Sequence, residues 1–132
     1  MLEGQPLRGF VVLVVDDDTD NRETAAAMIE SFGCSVLNAA SSDEALAILD
    51  SGAHVDLVFS DVVMPKISGV ALARLVHERH LGLPIVLATG HTEAIEAVTE
   101  GGAIPLLKPY SMARLAAVLA EQLRVGDAPA AH

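Results

Sequence analysis

Four short apolar segments of the sequence each end in side chains that can take part in phosphate or metal chemistry. These side chains are the carboxylates of Asp16, Asp17 and Asp61, the hydroxyl of Thr89 and the ammonium group of Lys108. Carboxylates suit a hard divalent cation, and Mg²⁺ fits best because it keeps several of its waters. A carboxylate can also attack phosphorus, while a hydroxyl and an ammonium group bind phosphoryl oxygens. The set therefore indicates Mg²⁺-assisted phosphoryl transfer.

The segments that precede these side chains are typical of buried parallel strands. Residues 11–15 are five apolar residues, four of them β-branched, which favours a strand buried on both faces. A weaker strand is predicted at residues 35–39, and further strands at 55–60, 84–88 and around 106–107. Because the carboxyl ends of parallel strands meet at one edge of a sheet, we expect the reactive side chains to lie together there.

Helical segments alternate with these strands. Asp18, Ser42 and Ser111 are predicted N-caps of the first, second and last helices, and a short helix is predicted at residues 92–99. Strands that alternate with helices are typical of an α/β protein with a doubly wound parallel sheet.

Composition narrows the classes of function. The chain has 132 residues, about half of them apolar, which fits one domain with its own core. Its net charge of −10 and the lack of a basic cluster argue against direct binding to nucleic acid. No apolar run reaches the length of a membrane span. With a single cysteine, Cys34, no internal disulfide can form, so we expect a cytoplasmic protein.

Five motifs together are similar to one known family. They are Val14-Val15-Asp16-Asp17, Ser60-Asp61-Val62-Val63-Met64-Pro65, Ser68-Gly69, Leu87-Ala88-Thr89-Gly90 and Leu107-Lys108-Pro109-Tyr110. In this order the sequence resembles the receiver domain of two-component response regulators. The resemblance implies a flavodoxin-like fold with a five-stranded parallel sheet in the order 2-1-3-4-5 and five helices. It places the receiver domain at residues 10–124, between an N-terminal extension at 1–9 and a flexible tail at 125–132.

The resemblance also assigns a metal site. It implies that Asp17, Asp61 and the backbone carbonyl of Val63 bind Mg²⁺ directly, and that Asp16 holds the metal mostly through water.

A second set of roles concerns the phosphoryl group. By the resemblance, Asp61 is the phospho-acceptor, Thr89 turns towards the phosphoryl group and Lys108 forms an ion pair with it. Proline makes a cis Lys108–Pro109 bond possible, because it narrows the preference for the trans form, and the resemblance implies that this bond is cis.

The same resemblance implies the partners. The donor is the phosphohistidine of a histidine kinase or of a histidine phosphotransfer protein, with no direct nucleic-acid or membrane contact. We expect a monomer as an isolated domain, and a signalling protein that catalyses only its own phosphorylation and dephosphorylation. The sequence does not decide between a free-standing regulator and the receiver of a hybrid histidine kinase.

Two departures from the family pattern concern switching and lifetime. Pro105 occupies the position, three before Lys108, where the family usually has an aromatic residue. We therefore expect a muted switch, in which loops around residues 90–91 and 101–102 move instead of a side chain. Val63 and His91 occupy positions that in the family tune the lifetime of the phosphoryl group, which the sequence leaves open.

Two other functions have partial support in the sequence. Asp16-Asp17-Asp18-Thr19 resembles the first signature of haloacid-dehalogenase-type phosphatases, but those enzymes need a second acidic pair after the lysine, and here only Asp127 follows Glu121. A pseudo-receiver that acts only as a scaffold is the other alternative. The intact acidic pair, acceptor, threonine and lysine argue against it.

Overall fold

A computed structural model describes residues 7–123 of the chain and shows five parallel strands in one sheet. The sheet order is β2-β1-β3-β4-β5, so the predicted doubly wound fold with strand order 2-1-3-4-5 and five helices is confirmed. In chain order the elements are β1 (Val11–Val15), α1 (Thr19–Ser31), β2 (Ser35–Ala39), α2 (Ser42–Asp50), β3 (Leu57–Asp61), α3 (Gly69–Arg79), β4 (Ile85–Thr89), a 3₁₀ turn (Thr92–Ala94), α4 (Ile95–Glu100), β5 (Ile104–Leu107) and α5 (Met112–Leu123).

Both faces of the sheet are covered, as the β-branched composition of β1 predicted. Val12 and Val14 face a core that α1 and α5 complete. Leu13 and Val15 face a second core that α2 and α3 complete. Each of these four side chains is at most 1% exposed, so β1 is anchored on both sides. A strand fixed in this way is a rigid support for the acidic residues that follow it.

The register of the sheet brings the strand ends together. Val15 pairs with Ser60, Asp61 pairs with Ala88, and Thr89 pairs with Leu107. The residues that follow β1, β3, β4 and β5 therefore emerge side by side at one edge. The prediction that the reactive side chains share this edge is confirmed at the level of the backbone.

The start of α2 differs from the prediction. The N-cap is Ser41, whose Oγ accepts a hydrogen bond from the Glu44 N–H at 3.0 Å. Ser42, the predicted cap, is the first helical residue and is buried. Its Oγ donates to the Ile67 carbonyl at 2.9 Å, a contact across 25 residues that local sequence does not reveal.

Strand β3 also begins two residues later than predicted. The segment was predicted to begin at residue 55, but β3 begins at Leu57. Asp56 instead joins the ends of two strands, because its carboxylate Oδ2 accepts the Val11 N–H at 2.8 Å and its own N–H donates to the Val11 carbonyl.

The predicted flexible tail (residues 125–132) and residues 1–6 of the predicted N-terminal extension lie outside the described residues. Leu7, which belongs to that extension, is buried in the core beside α1, and its N–H donates to the Phe32 carbonyl at 2.9 Å. The domain boundaries therefore stay predictions. Across residues 7–123, no helix combines the length and apolar character that crossing a membrane requires.

Candidate functional site

An ion pair joins the predicted acceptor to the predicted lysine. Lys108 Nζ lies 2.7 Å from Asp61 Oδ1, across 47 residues of sequence. The Asp61 side chain is 15% exposed and that of Lys108 is 36% exposed, so the pair faces the edge of the sheet and can be reached from solvent. The Lys108 N–H also donates to the Thr89 carbonyl at 2.7 Å, which ties the lysine to the end of β4.

Asp16 is the most enclosed carboxylate at this edge, with 8% of the residue exposed. Its Oδ1 accepts the Asp18 N–H at 2.9 Å, and its backbone carbonyl accepts from Arg22 Nη1 at 2.8 Å. Burial raises the pKa of Asp16, and the nearby charges of Asp61 and Asp17 raise it further, whereas the Asp18 hydrogen bond and Lys108 lower it. The folded protein therefore holds Asp16 where its negative charge is disfavoured.

Asp17 and Val63 are the remaining predicted metal ligands, and both are exposed. Asp17 directly follows Asp16 after the end of β1, and Val63, which lies two residues after Asp61, is 64% exposed. Within residues 7–123, no three His, Cys, Asp or Glu side chains converge on a point that a metal ion could occupy. One oxygen of Asp61 is instead occupied by Lys108.

The chemistry of this donor set fits Mg²⁺. The carboxylates of Asp16, Asp17 and Asp61 together carry three formal negative charges, and Lys108 lowers the pKa of Asp16. Mg²⁺ prefers oxygen ligands and keeps several waters, so it needs few protein side chains. A divalent cation would offset the repulsion between Asp16 and Asp61 that the fold leaves in place.

The loop after β3 is held against the site by glycine and serine contacts. A Cβ on Gly69 would collide with the carbonyl of Asp61 and with Val62 Cα, so only glycine fits there. The Gly69 N–H donates to the Val62 carbonyl at 2.8 Å. Ser68 Oγ caps α3 by accepting the Ala71 N–H. These contacts fix the backbone on which Val63 lies.

Thr89 is placed at the end of β4 with only 2% of its surface exposed. Its Oγ1 accepts the His91 N–H at 3.1 Å, so this hydroxyl already has a partner in the loop that follows. Movement of Thr89 towards Asp61 would break that bond and release the backbone at His91. This contact links the predicted threonine to one of the loops expected to move.

Tyr110 is a part of the site that the sequence did not predict. It follows the Lys108–Pro109 bond, which is cis as expected. Its ring packs edge to face against Phe59 with centroids 6.1 Å apart. Burial raises the pKa of Tyr110, and the carboxylates of Asp16 and Asp61 raise it further. The sequence signal was confined to the position of Tyr110 two residues after Lys108, because its partner Phe59 is remote in the chain.

A cavity of about 330 Å³ opens beside Asp61, between α1 and the residues that follow β5. Asn21, Thr24 and Met28 of α1 line one side, and Pro109 and Tyr110 line the other. This cavity was not predicted from the sequence, since its two sides come from opposite ends of the chain.

Comparison with known proteins identifies relatives over most of this chain. The family model described as "Response regulator receiver domain" matches residues 12–120. The transcriptional regulatory protein FixJ of Azorhizobium caulinodans is 36% identical over an alignment 129 positions long, and the match covers 89% of this chain and 60% of FixJ. The sensor kinase CckA of Brucella abortus is 34% identical over 88% of this chain and 13% of the kinase. The chain thus spans less than two thirds of the length of each of these two relatives.

Solved structures show the same architecture. The chemotaxis protein CheY4 of Vibrio cholerae is 30% identical with a TM-score of 0.76, covering 88% of this chain and 98% of that one. The response regulator protein TrrA of Thermotoga maritima, solved in complex with Mg²⁺ and BeF, is 25% identical with a TM-score of 0.80. That match covers 86% of this chain and 98% of TrrA. The likeness in fold therefore extends over most of this chain.

Proposed function

Because this chain belongs to the response regulator receiver domain family, we propose that it accepts a phosphoryl group on Asp61 from a phosphohistidine. The observation that carries the proposal is the Lys108–Asp61 ion pair of 2.7 Å at the edge of the sheet, beside the buried carboxylate of Asp16. A lysine held on the acceptor carboxylate is already in place for the charge that a phosphoryl group brings. Thr89, at the end of the neighbouring strand, supplies the hydroxyl.

The transfer exchanges one bond to phosphorus for another. An oxygen of the Asp61 carboxylate attacks the phosphorus atom, and a P–O bond forms as the P–N bond to the donor imidazole breaks. The electron pair of the broken bond stays on the imidazole nitrogen, which then takes up a proton. Lys108 Nζ and the Thr89 hydroxyl then bind oxygens of the transferred group. Hydrolysis of the aspartyl phosphate later returns Asp61 to its carboxylate form.

Asp17, Asp61 and the Val63 carbonyl would hold Mg²⁺ directly, and Asp16 would hold it through water. When bound, this ion offsets the negative charge of the phosphoryl oxygens. The structure of TrrA with Mg²⁺ and BeF supports the assignment by likeness of fold.

The partner we propose is a histidine kinase or a histidine phosphotransfer protein in the cytoplasm. The relation to the sensor kinase CckA and to FixJ supports a place in two-component signalling. Beyond its own phosphorylation and dephosphorylation, we propose no turnover of substrates. The family match does not favour the phosphatase or pseudo-receiver alternatives.

The test is incorporation of phosphate from a small acyl phosphate or from a phosphohistidine donor in the presence of Mg²⁺. Asp61→Asn should abolish the label, because an amide does not attack phosphorus. Asp18→Asn is the matched control, since asparagine also caps α1 and Asp18 has no assigned role in the transfer. Incorporation by Asp61→Asn at the wild-type rate would overturn the assignment, and turnover of a generic phosphate ester would favour the phosphatase alternative.

A further inference from the structure

The cavity between α1 and Tyr110 adjoins the residues of the proposed phosphoryl transfer, but its apolar walls have no role in that transfer. Much of its lining is apolar, with Ala25 and Met28 from α1, Phe59 from β3, and Tyr110. The edge-to-face contact of the two rings gives this wall a fixed shape. At about 330 Å³ the cavity lies at the lower end of the size range for sites that bind small organic molecules.

Charged side chains also line this cavity, and their balance is negative. Asp16, Asp61 and Lys108 all contribute to the lining. Lys108 and Asp61 offset each other at 2.7 Å, which leaves the charge of Asp16 unbalanced. Asp16 Oδ1 accepts the Asp18 N–H, whereas Oδ2 accepts no hydrogen bond from residues 7–123. Since no side-chain oxygen in that range is enclosed without a partner, Oδ2 keeps contact with open space.

We propose that this cavity binds small organic monocations with an apolar body. The body would lie between α1 and Tyr110, and its ammonium group would donate to Asp16 Oδ2. The carboxylates of Asp16 and Asp61 repel anions. Lys108 also lines the cavity and could attract an anion, but its ammonium group is already paired with Asp61. A bare metal ion would gain nothing from the apolar wall, so the cavity distinguishes an amphipathic cation from an inorganic one.

A consequence for signalling rests on the proposed function, whereas the binding itself does not. If Asp16 also helps to hold Mg²⁺, the ammonium group and the metal compete for the same carboxylate. An occupied cavity would then slow phosphorylation of Asp61. The site would act as an inhibitory input that is independent of any kinase.

The probe is cyclohexylmethylammonium, compared with cyclohexylmethanol and cyclohexanecarboxylate, which share its ring and differ in charge. None of the three absorbs where tyrosine does, and the chain contains one tyrosine and no tryptophan, so its fluorescence reports on Tyr110 alone. In metal-free buffer the cation should produce a saturable change in emission. The alcohol should bind roughly tenfold more weakly, because it lacks the ion pair with Asp16. Equal responses to all three compounds, or none to the cation, would overturn the proposal.

Two variants of α1 test the location. Thr24 lines the cavity and is exposed, so Thr24→Phe should fill the space and abolish the response. Ala27 is exposed on the same helix and does not line this cavity, so Ala27→Phe is the matched control and should bind as the wild type does. Circular dichroism establishes that both variants fold. Equal binding by the two variants would place the ligand elsewhere and overturn the proposal.

The role of the carboxylate is tested by Asp16→Asn and by Mg²⁺. The variant should bind the cation no better than the alcohol, and added Mg²⁺ should shift the binding midpoint of the wild type to higher concentrations of cation. Unchanged affinity in Asp16→Asn would show that Asp16 is not the anchor. Binding of the organic cation is measured without a phosphodonor. A failure of phosphoryl transfer to Asp61 would therefore contradict the proposed function without affecting the binding result.

Discussion

At the scale of single residues, Asp16 combines burial with like-charge neighbours. Its pKa is raised by desolvation and by Asp61 and Asp17, so its ionisation opposes folding at neutral pH. Asp16→Asn keeps an oxygen that can accept the Asp18 N–H and removes the charge. We expect the melting temperature at pH 7, without Mg²⁺, to rise by roughly 2–5 °C, about 1 kcal/mol for a domain of this size. Asp43→Asn is the control, because Asp43 is exposed in the first turn of α2 and its loss should give no increase.

The difference in stability between Asp16→Asn and the wild type should depend on pH, because the pKa of Asp16 is raised in the folded protein. The pKa of Asp16 is higher in the folded protein than its ordinary value of 3.8, so folding favours the protonated form. The destabilisation caused by the ionised carboxylate of Asp16 is complete at pH values above its raised pKa, and it disappears as the pH falls towards 3.8. The advantage of Asp16→Asn, measured by chemical unfolding at a series of pH values, should therefore shrink as the pH is lowered. An advantage that grows on acidification would contradict the raised pKa.

Lys66 is the non-glycine residue with a positive φ among residues 7–123, at +65°. It lies in the loop between β3 and α3, and its side chain is exposed. A left-handed conformation costs an L-residue about 1–2 kcal/mol, while glycine loses more freedom on folding. Lys66→Gly should therefore raise the free energy of unfolding by about 0.5 kcal/mol in a urea titration. Lys66→Ala needs the same backbone conformation and should give no gain; an equal gain would mean that charge, and not φ, is responsible.

At the scale of elements, the start of α2 holds the loop that carries Val63. Ser42→Ala removes a buried donor and leaves the Ile67 carbonyl without it, which should cost about 1–2 kcal/mol. Amide hydrogen exchange should increase in residues 62–68. Ser41→Ala should cost a similar amount through loss of the cap, with faster exchange at the start of α2 instead. Identical exchange patterns in the two variants would show that the Ser42 contact does not hold the loop.

At the scale of the whole molecule, Mg²⁺ should stabilise the fold by relieving repulsion at the sheet edge. At a tenfold excess over its dissociation constant the gain is about 1.4 kcal/mol. Asp17→Ala should remove most of that gain, because Asp17 is the proposed direct ligand. Asp20→Ala, an exposed acid in the first turn of α1, should retain it. The check is thermal unfolding with and without millimolar Mg²⁺, and a melting temperature indifferent to the metal would count against the site.

The response to activation is a second property of the whole molecule. Pro105 lies opposite Leu87 in the sheet, and Tyr110 packs on the α1 side with Phe59, away from α4. No aromatic side chain of residues 7–123 is therefore placed to swing in if Thr89 moves as the family resemblance implies. A beryllofluoride titration with Mg²⁺ should shift backbone resonances in the loops at the strand ends and leave the protein monomeric in sedimentation. Large changes in backbone chemical shift throughout residues 95–107, together with conversion to a dimer, would contradict a switch that is limited to the loops.

The sequence alone determined the features that depend on local pattern. The β-branched run of β1 requires burial on both faces, and Asp18 and Ser111 cap helices as predicted, because a cap acts on residues two or three positions away. The alternation of strands and helices then brings Asp16, Asp61, Thr89 and Lys108 to one edge. The order of the five motifs carried the family resemblance, which added the roles assigned to these residues and the order of the strands in the sheet.

The tertiary structure decided what depends on contacts between distant segments. Two adjacent serines lie at the start of α2, and only the approach of Ile67 shows that Ser41 is the cap while Ser42 holds a loop. The packing of Tyr110 on Phe59, and the cavity beside it, join strand β3 and the residues that follow β5 to helix α1. The raised pKa of Asp16 likewise depends mainly on burial. None of these features leaves a periodic pattern in the sequence. Contacts between distant segments and desolvation are properties of the packed sheet and helices, and not of neighbouring residues in the chain.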